Sequence, residues 1–464
     1  MAAAIRIPSV AKEKVGVLGL ARSGLAAAET FRDSGAEVWA WDDDPAKRAR
    51  AEAKGIVCRD LAASDLDGFL ALVMSPGIPH THPKPHPAAA RAKAVGVPLL
   101  SDIEFLGRAC PQARYIGITG TNGKSTTTTL IGHLLKEAGI EVQVGGNLGV
   151  PALSLAPLGK GGVYVLEMSS YQLELLQRLV FDVAILLNLT PDHLERHGGM
   201  DGYIAAKRRI FERQDSEDTA IVALDDADSE AIYDDLVERG QQQVTPISAT
   251  RLVSGGVYVE DGLLTDDTGG WSHPIIDLNL APALPGRHNW QNAAAAFAAG
   301  KVFDIGSRSL AKSMVTYPGL AHRQERVAVI DGITYINDSK ATNADASAKA
   351  LACYESVYWI AGGKAKDGGI ESLASYFGDL RHVFLIGEAA DGFARTLDGK
   401  APYTRSGDLA SAVAAASAKA KAEGLGNAIV LLSPACASFD QFADFEARGE
   451  AFRKIVEALP GVRA

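Results

Sequence analysis

The chain has 464 residues, 47% of them hydrophobic and 22% charged, enough for roughly three domains of about 150 residues, each with its own core. Its 46 basic residues are outnumbered by 56 acidic ones, a formal net charge of -10 without any basic block, which excludes broad electrostatic binding to nucleic acid or acidic lipid. No apolar run reaches ~18 residues, the opening segment has no signal-peptide core, and Cys58, Cys110, Cys353 and Cys436 form no C-x-x-C pair, so membrane insertion, a disulfide scaffold and a structural zinc site are not expected and a reducing cytoplasm fits.

In chain order, Lys14 to Leu18 reads as a buried strand, Gly19 to Gly24 as a turn, Leu25 to Arg32 as a helix and Val38 to Trp41 as the next strand, a βαβ opening. Gly19-Leu-Ala-Arg-Ser-Gly24 is close to a dinucleotide fingerprint, with Asp42 at the distance of a ribose-binding acid, but Ala21 replaces the second glycine, which counts against a nicotinamide-dependent oxidoreductase. The stretch Ser75 to Pro87 carries too many prolines for a helix or central strand, and its His80, His82 and His86 read as part of a solvated loop rather than a metal site.

A second α/β pattern begins with the strand Tyr115 to Ile118 and a helix bearing Leu130, Ile131, Leu134 and Leu135 on one face. Between them lies Gly117-Ile-Thr-Gly-Thr-Asn-Gly-Lys-Ser-Thr126, a variant phosphate loop. Its Gly120, Thr121, Asn122, Gly123 and Thr126 would wrap a triphosphate, Lys124 would reach the outer phosphates and Ser125 would ligate Mg²⁺. A tight turn with a capping serine is the alternative, disfavoured because strand, loop, Lys-Ser and helix occur together. Glu167 after the strand Val163 to Leu166, and Asp192-His193 after Val183 to Leu187, stand where open parallel sheets bind ligands, although a glutamate there is by itself commonly solvated. Short β-type runs between Val244 and Asp277 predict a small antiparallel addition to this domain.

Tyr317-Pro-Gly-Leu320 marks a second boundary, dividing the chain into 1–112, 113–318 and 319–464. Beyond it, Val327 to Ile330 and Ile333 to Ile336 flank Asp331-Gly332, a hairpin signal, and the strands Val357 to Ile360, Val383 to Ile386 and Ala428 to Leu432 alternate with helical patterns. The fold class expected is α/β in three domains: Rossmann-like, a central P-loop ATPase-like α/β domain with the antiparallel addition, and a Rossmann-like carboxyl-terminal domain.

The phosphate loop, together with Glu167-Met-Ser-Ser-Tyr-Gln172, Leu187-Asn-Leu-Thr-Pro-Asp-His193, Gly286-Arg-His-Asn289 and Asn337-Asp-Ser-Lys-Ala-Thr-Asn343, resembles the Mur ligase family. Within it, Ser433-Pro-Ala-Cys-Ala-Ser-Phe-Asp-Gln-Phe442 and Lys340 to Asn343 are similar to the D-glutamate-adding branch. The resemblance implies a cytoplasmic, monomeric ligase that uses ATP to join D-glutamate to UDP-N-acetylmuramoyl-L-alanine through an acyl phosphate, with closure between domains. Other amino-acid-adding and folylpolyglutamate-type ligases share the architecture. It places Lys124 on the phosphates, and Ser125 and Glu167 on one Mg²⁺, for which Mn²⁺ can substitute. His193 and a carbamylated Lys207 would serve a second ion; without the resemblance, Lys207 reads as a solvated helix residue. Asn292, Arg323 and Asp338 are implied around ATP, with Lys340 and His322 near the transferring phosphoryl. Thr342, Lys366, Ser438 and Phe445 would receive D-glutamate, although Phe445 alone reads as a core residue. Ser23, Asp42 and Asn147 would meet the UDP sugar. Asp43 and Asp44 depart from the hydroxyl or cation that a phosphate-facing loop favours.

Overall fold

A computed structural model describes residues 4–364 and 368–463, and the chain is α/β with three sheets. The first sheet runs β1 (Lys14–Leu18), β2 (Glu37–Trp41), β3 (Val57–Cys58), β4 (Phe69–Met74) and β5 (Leu99–Leu100) in the order β3-β2-β1-β4-β5, with every pairing parallel. That is the doubly wound order, which opens a crevice at the carboxyl end of β1 and β4 where the connections reverse direction. The helix after β1 spans Arg22–Asp33, so the predicted turn is shorter than Gly19 to Gly24. A β-carbon on Gly24 would lie 1.8 Å from the Gly19 carbonyl oxygen: the missing side chain lets this helix start against the turn.

The second sheet contains β6 (Arg114–Thr119), β7 (Val142–Gly146), β8 (Val163–Glu167), β9 (Val183–Leu186), β10 (Thr219–Ala223), β11 (Gln243–Ser248), β12 (Val257–Glu260), β13 (Leu263–Asp266) and β14 (His273–Asp277). Their order is β14-β13-β12-β11-β10-β9-β6-β8-β7. β6 sits between β8 and β9, both parallel to it, which brings the ends of these three strands to one edge. The antiparallel addition is narrower than predicted: β11 pairs in parallel with β10, and antiparallel pairing starts only at β12 and β13. A short parallel strand and a hairpin strand share the same alternation, so the sequence does not separate them.

These two sheets and their helices form one compact unit, residues 1–278 and 287–314. Phe31, Phe105, Tyr115, Tyr164, Leu186 and Val222 belong to one continuous buried apolar cluster. The second unit, residues 279–286 and 315–464, contains β15 (Glu325–Ile330), β16 (Ile333–Asn337), β17 (Val357–Gly362), β18 (His382–Ile386), β19 (Tyr403–Gly407) and β20 (Ile429–Leu432). They lie in the order β15-β16-β20-β17-β18-β19, all parallel except the β15–β16 hairpin. Trp359 and Ala361 join the core on one face of this sheet, Tyr358 and Ile360 the core on the other, as alternation in a strand buried on both sides requires. Among the described residues no helix is long and apolar enough to cross a membrane.

Candidate active site

The phosphate loop joins β6 to the helix Lys124–Glu137. Gly123 immediately precedes that helix in the left-handed region, φ +85°, and a β-carbon there would stand 2.3 Å from Asn292 Oδ1. Glycine therefore satisfies both the backbone angle and a close neighbour. Lys124 Nζ donates to the Gly120 and Thr121 carbonyls, both at 2.8 Å, and so lies along the loop it would serve. The Asn122 N–H donates to Asn188 Oδ1 at 2.8 Å, and Thr121 N–H to the Asn188 carbonyl at 2.9 Å. Asn188 also donates to Gln291, which donates to Asp225. Asn292 accepts from Thr127 Oγ1 at 3.1 Å and donates to Asn289. Thr126, in the helix's first turn, accepts from Thr129 through its carbonyl.

Glu167 is the last residue of β8 and is 4% exposed, not solvated. Ser125 Oγ donates to its Oε2 at 2.6 Å, and Asn147 Nδ2 to its Oε1 at 2.9 Å. A hydroxyl and a carboxylate side by side at the foot of a phosphate loop are hard oxygen donors that fit one Mg²⁺, whose remaining coordination would come from phosphate oxygens and water. Among the described residues no group of three His, Cys, Asp or Glu side chains could hold a metal by itself.

Lys207 is not a solvated helix residue either: it is 2% exposed. Its Nζ donates to the Gly120 carbonyl at 2.8 Å and lies 4.7 Å from the Tyr203 ring centroid, while the Tyr203 hydroxyl meets Thr121 Oγ1 at 3.0 Å. Burial, and then the neighbouring Lys124 cation, hold the Lys207 ammonium well below its ordinary value, against the opposing pull of Asp192 and Glu167. The structure thus places Lys124, Ser125, Glu167 and Lys207 around one loop. His193 stands apart, with a side chain 55% exposed, 3.7 Å from Asp192 and 5.6 Å from the Tyr171 ring.

At the first sheet, Asp42 is engaged by its own loop. Its Oδ2 accepts from Leu20 N–H at 2.8 Å and its Oδ1 from Asp44 N–H at 3.0 Å, with Lys47 at 3.4 Å. Burial opposes ionisation, but these donors prevail and hold the carboxyl below its ordinary value. Ser23 lies in the first turn of the following helix, half-buried. The histidine loop is only partly solvated. His80 is 8% exposed, and His86 accepts from Ala88 N–H to cap the helix Pro87–Ala94 while facing Asp43 at 3.2 Å.

In the second unit, Asp338 follows β16 and is 6% exposed; Ser433 Oγ donates to its Oδ2 at 2.8 Å and Gln324 N–H to its Oδ1 at 3.2 Å. Burial pushes this carboxyl up to about 7, although Ser433, Gln324 and Arg323 all lower it. Lys340 Nζ lies 3.8 Å from the Phe445 ring centroid, and His322, 6.4 Å from the same ring, pairs through Nδ1 with Asn337 Nδ2 at 3.0 Å. Arg323 is exposed, Thr342 half-buried, and Ser438 2% exposed with its carbonyl accepting from Phe442 N–H. Lys366 lies outside the described residues. Sequence reasoning missed Arg448. This fully buried guanidinium donates to Ser339 Oγ and to the carbonyls of Ser339, Cys436 and Ala437, tying together two of the quoted motifs. An arginine in an amphipathic helix gives no signal of such partners.

Residues 118–300 match the model of the Mur ligase middle domain. The chain is 52% identical over 455 residues, 98% of each chain, to a UDP-N-acetylmuramoylalanine–D-glutamate ligase of Paramagnetospirillum magneticum. It is also 52% identical to one of Rhodospirillum rubrum, over all of this chain and 98% of that one. The chain belongs to the Mur ligase family. As a Mur ligase it is an ATP-dependent, ADP-forming amide ligase. Its fold is that of the UDP-N-acetylmuramate-alanine ligase of Thermotoga maritima, with a TM-score of 0.56 over 96% of this chain and 99% of that one at 16% identity.

Proposed function

We propose that this Mur ligase joins D-glutamate to UDP-N-acetylmuramoyl-L-alanine in peptidoglycan precursor synthesis, acting as a cytoplasmic monomer. The amino acid and the acceptor are those named for relatives that match the chain end to end at about half identity. The observation that carries the chemistry is the gathering of Lys124, Ser125, Glu167 and Lys207 at one phosphate loop.

An ionised carboxylate is a poor acyl donor, and phosphorylation supplies a leaving group. The L-alanine carboxylate oxygen attacks the γ-phosphorus of ATP and ADP leaves. The neutral amine of D-glutamate then attacks the acyl carbon, phosphate departs, and the amine proton passes to solvent or base. Loop N–H groups and Lys124 receive the phosphates. Ser125 and Glu167 would hold Mg²⁺, which supplies charge neutralisation on the outer phosphate oxygens when bound. Asn147, on the same carboxylate, positions Glu167 and would meet the UDP sugar. A second ion would be served by His193 and by Lys207, whose ammonium burial makes easier to deprotonate; the freed amine would attack carbon dioxide, its protons passing to solvent, and the carbamate would replace a cation with an anionic oxygen donor. Asn292 and Arg323 serve ATP, Asp338 its ribose, and Lys340 and His322 the transferring group. Thr342, Lys366, Ser438 and Phe445 serve D-glutamate, while Ser23 and the loop held by Asp42 serve the UDP sugar.

The deciding measurement is phosphate release with paired substrates. Release is expected only with both UDP-N-acetylmuramoyl-L-alanine and D-glutamate, and equal release with L-glutamate or L-alanine would sink the assignment. Lys207→Ala is expected to lower turnover by about a hundredfold or more with the fold retained. Isotope-labelled bicarbonate should give a carbamate resonance in the wild type that this variant lacks.

A further inference from the structure

A buried chain of polar side chains lies behind the phosphate loop, unused by the reaction above. His197, whose side chain is fully enclosed, faces Glu174 Oε1 through Nδ1 at 3.3 Å and Ser170 Oγ through Nε2 at 2.9 Å. A carboxylate only accepts, so Nδ1 carries the proton, and in the neutral ring Nε2 accepts the Ser170 hydroxyl hydrogen. The other Glu174 oxygen stands 3.4 Å from His80 Nε2, in the loop after β4. Burial holds the His80 imidazole below its ordinary value against the pull of that carboxylate, and the approach is an electrostatic contact rather than a hydrogen bond. The His197 ring stacks on Tyr171, centroids 5.1 Å apart and planes 11° apart, and tilts against Tyr203 at 5.5 Å. Serine, histidine and glutamate in this order match a nucleophilic triad, but Ser170 is 3% exposed, closed to an acyl substrate. The arrangement is a brace.

What it braces follows from its contacts. Ser170 opens the short helix Ser170–Leu173 directly after the turn that follows Glu167 at the end of β8. Tyr203 bonds Thr121 of the phosphate loop and lies beneath the Lys207 ammonium. One imidazole therefore touches the supports of Glu167, assigned to the nucleotide's metal, and of Lys207, assigned to the second ion. We propose that His197, held by Glu174 and His80, is a positioning residue for the Mg²⁺-nucleotide site. The inference rests on the reading that Glu167 and Ser125 serve that metal. Mg²⁺ demands near-ideal geometry, so a small shift of the Glu167 turn is felt as lost affinity, as when outer partners of metal ligands are removed.

The test is calorimetric titration of full-length variants with ADP, with and without Mg²⁺. His197→Phe keeps a ring and drops both hydrogen bonds; Glu174→Ala removes the brace from the other side. Each should weaken Mg²⁺-ADP binding by about tenfold while metal-free ADP binds as to the wild type, and Glu174→Gln, which still accepts from His197, should recover most of the loss. A merely structural role would weaken both forms of ADP alike or neither, and either result overturns the proposal. If His197→Phe does not fold, the Glu174 pair decides. Glu167→Gln is the control. If it loses Mg²⁺-ADP affinity and the brace variants do not, the brace is wrong; if it binds normally, the reading of the metal donors fails and the brace falls with it.

Discussion

Gly123 shows how much one missing side chain decides at the site. Its φ of +85° is strained for any L-residue, and the space a β-carbon would need is taken by Asn292 Oδ1. Gly123→Ala is expected to cost about 1–3 kcal/mol and to weaken ATP binding, read by urea unfolding and by nucleotide titration. Asp338 gives the pH signature. Its folded carboxyl titrates near 7 against an ordinary value of 3.8, chiefly through burial, so between those limits the folded state binds its proton more tightly than the unfolded chain. This group favours the fold at low pH and loses that contribution as pH rises through 7. Asp338→Asn should therefore be more heat-stable relative to the wild type at a pH about one unit above that value, with the gap closing toward pH 5, as thermal unfolding across the range would show. A pH-independent gap would place the titration elsewhere. Neither behaviour was legible in the sequence, where Gly123 is one of 47 glycines and Asp338 one acid in a motif.

Elements were read best where the signal is local. Asp331 and Gly332 have φ of +50° and +80°, both positive as a two-residue primed turn demands, and Ile330 pairs with Ile333 across it. The Ala-rich helix Leu409–Glu423 has Asp408 accepting from Ser411 N–H at its start. Asp408→Ala should cost about 1 kcal/mol in thermal unfolding, leaving phosphate release unchanged because this helix bears no assigned site residue. Reading failed where a boundary depends on packing. The first helix begins at Arg22 because Gly24 fits against Gly19, a contact no periodicity reports. Proline speaks to backbone form only, so the Pro-rich loop gives no sign that His80 is buried, and Glu174, which faces it, lies in another part of the chain.

At the scale of the whole molecule, the net charge of -10 offers no basic field for three anionic substrates, so on the proposed assignment their reception would be local, by loop amides, Lys124 and other placed cations. The KM for the UDP-linked substrate should accordingly change by less than about threefold between about 0.05 and 0.2 M salt, whereas a basic nucleic-acid-type surface would lose orders of magnitude. Steady-state phosphate release over that range checks this. Three sheets supply the placements: a doubly wound sheet with a crevice at β1 and β4, a central sheet that brings β6, β8 and β9 to one edge, and a third built on a hairpin.

The sequence by itself determined the succession of strands, turns and helices, the Lys124-Ser125 loop, the β15–β16 hairpin and the family, because periodicity, turn chemistry and motif spacing act over a few residues. Only the tertiary structure decided that Glu167 is buried between Ser125 and Asn147, that Lys207 folds under Gly120, that Arg448 binds Ser339 and that Glu174 joins His80 to His197. Ser125 and Glu167 are 42 positions apart, Gly120 and Lys207 87, Ser339 and Arg448 109. Burial and charge at such sites depend on neighbours brought in by sheet order, and sheet order is set by the packing of the whole core rather than by any segment read alone.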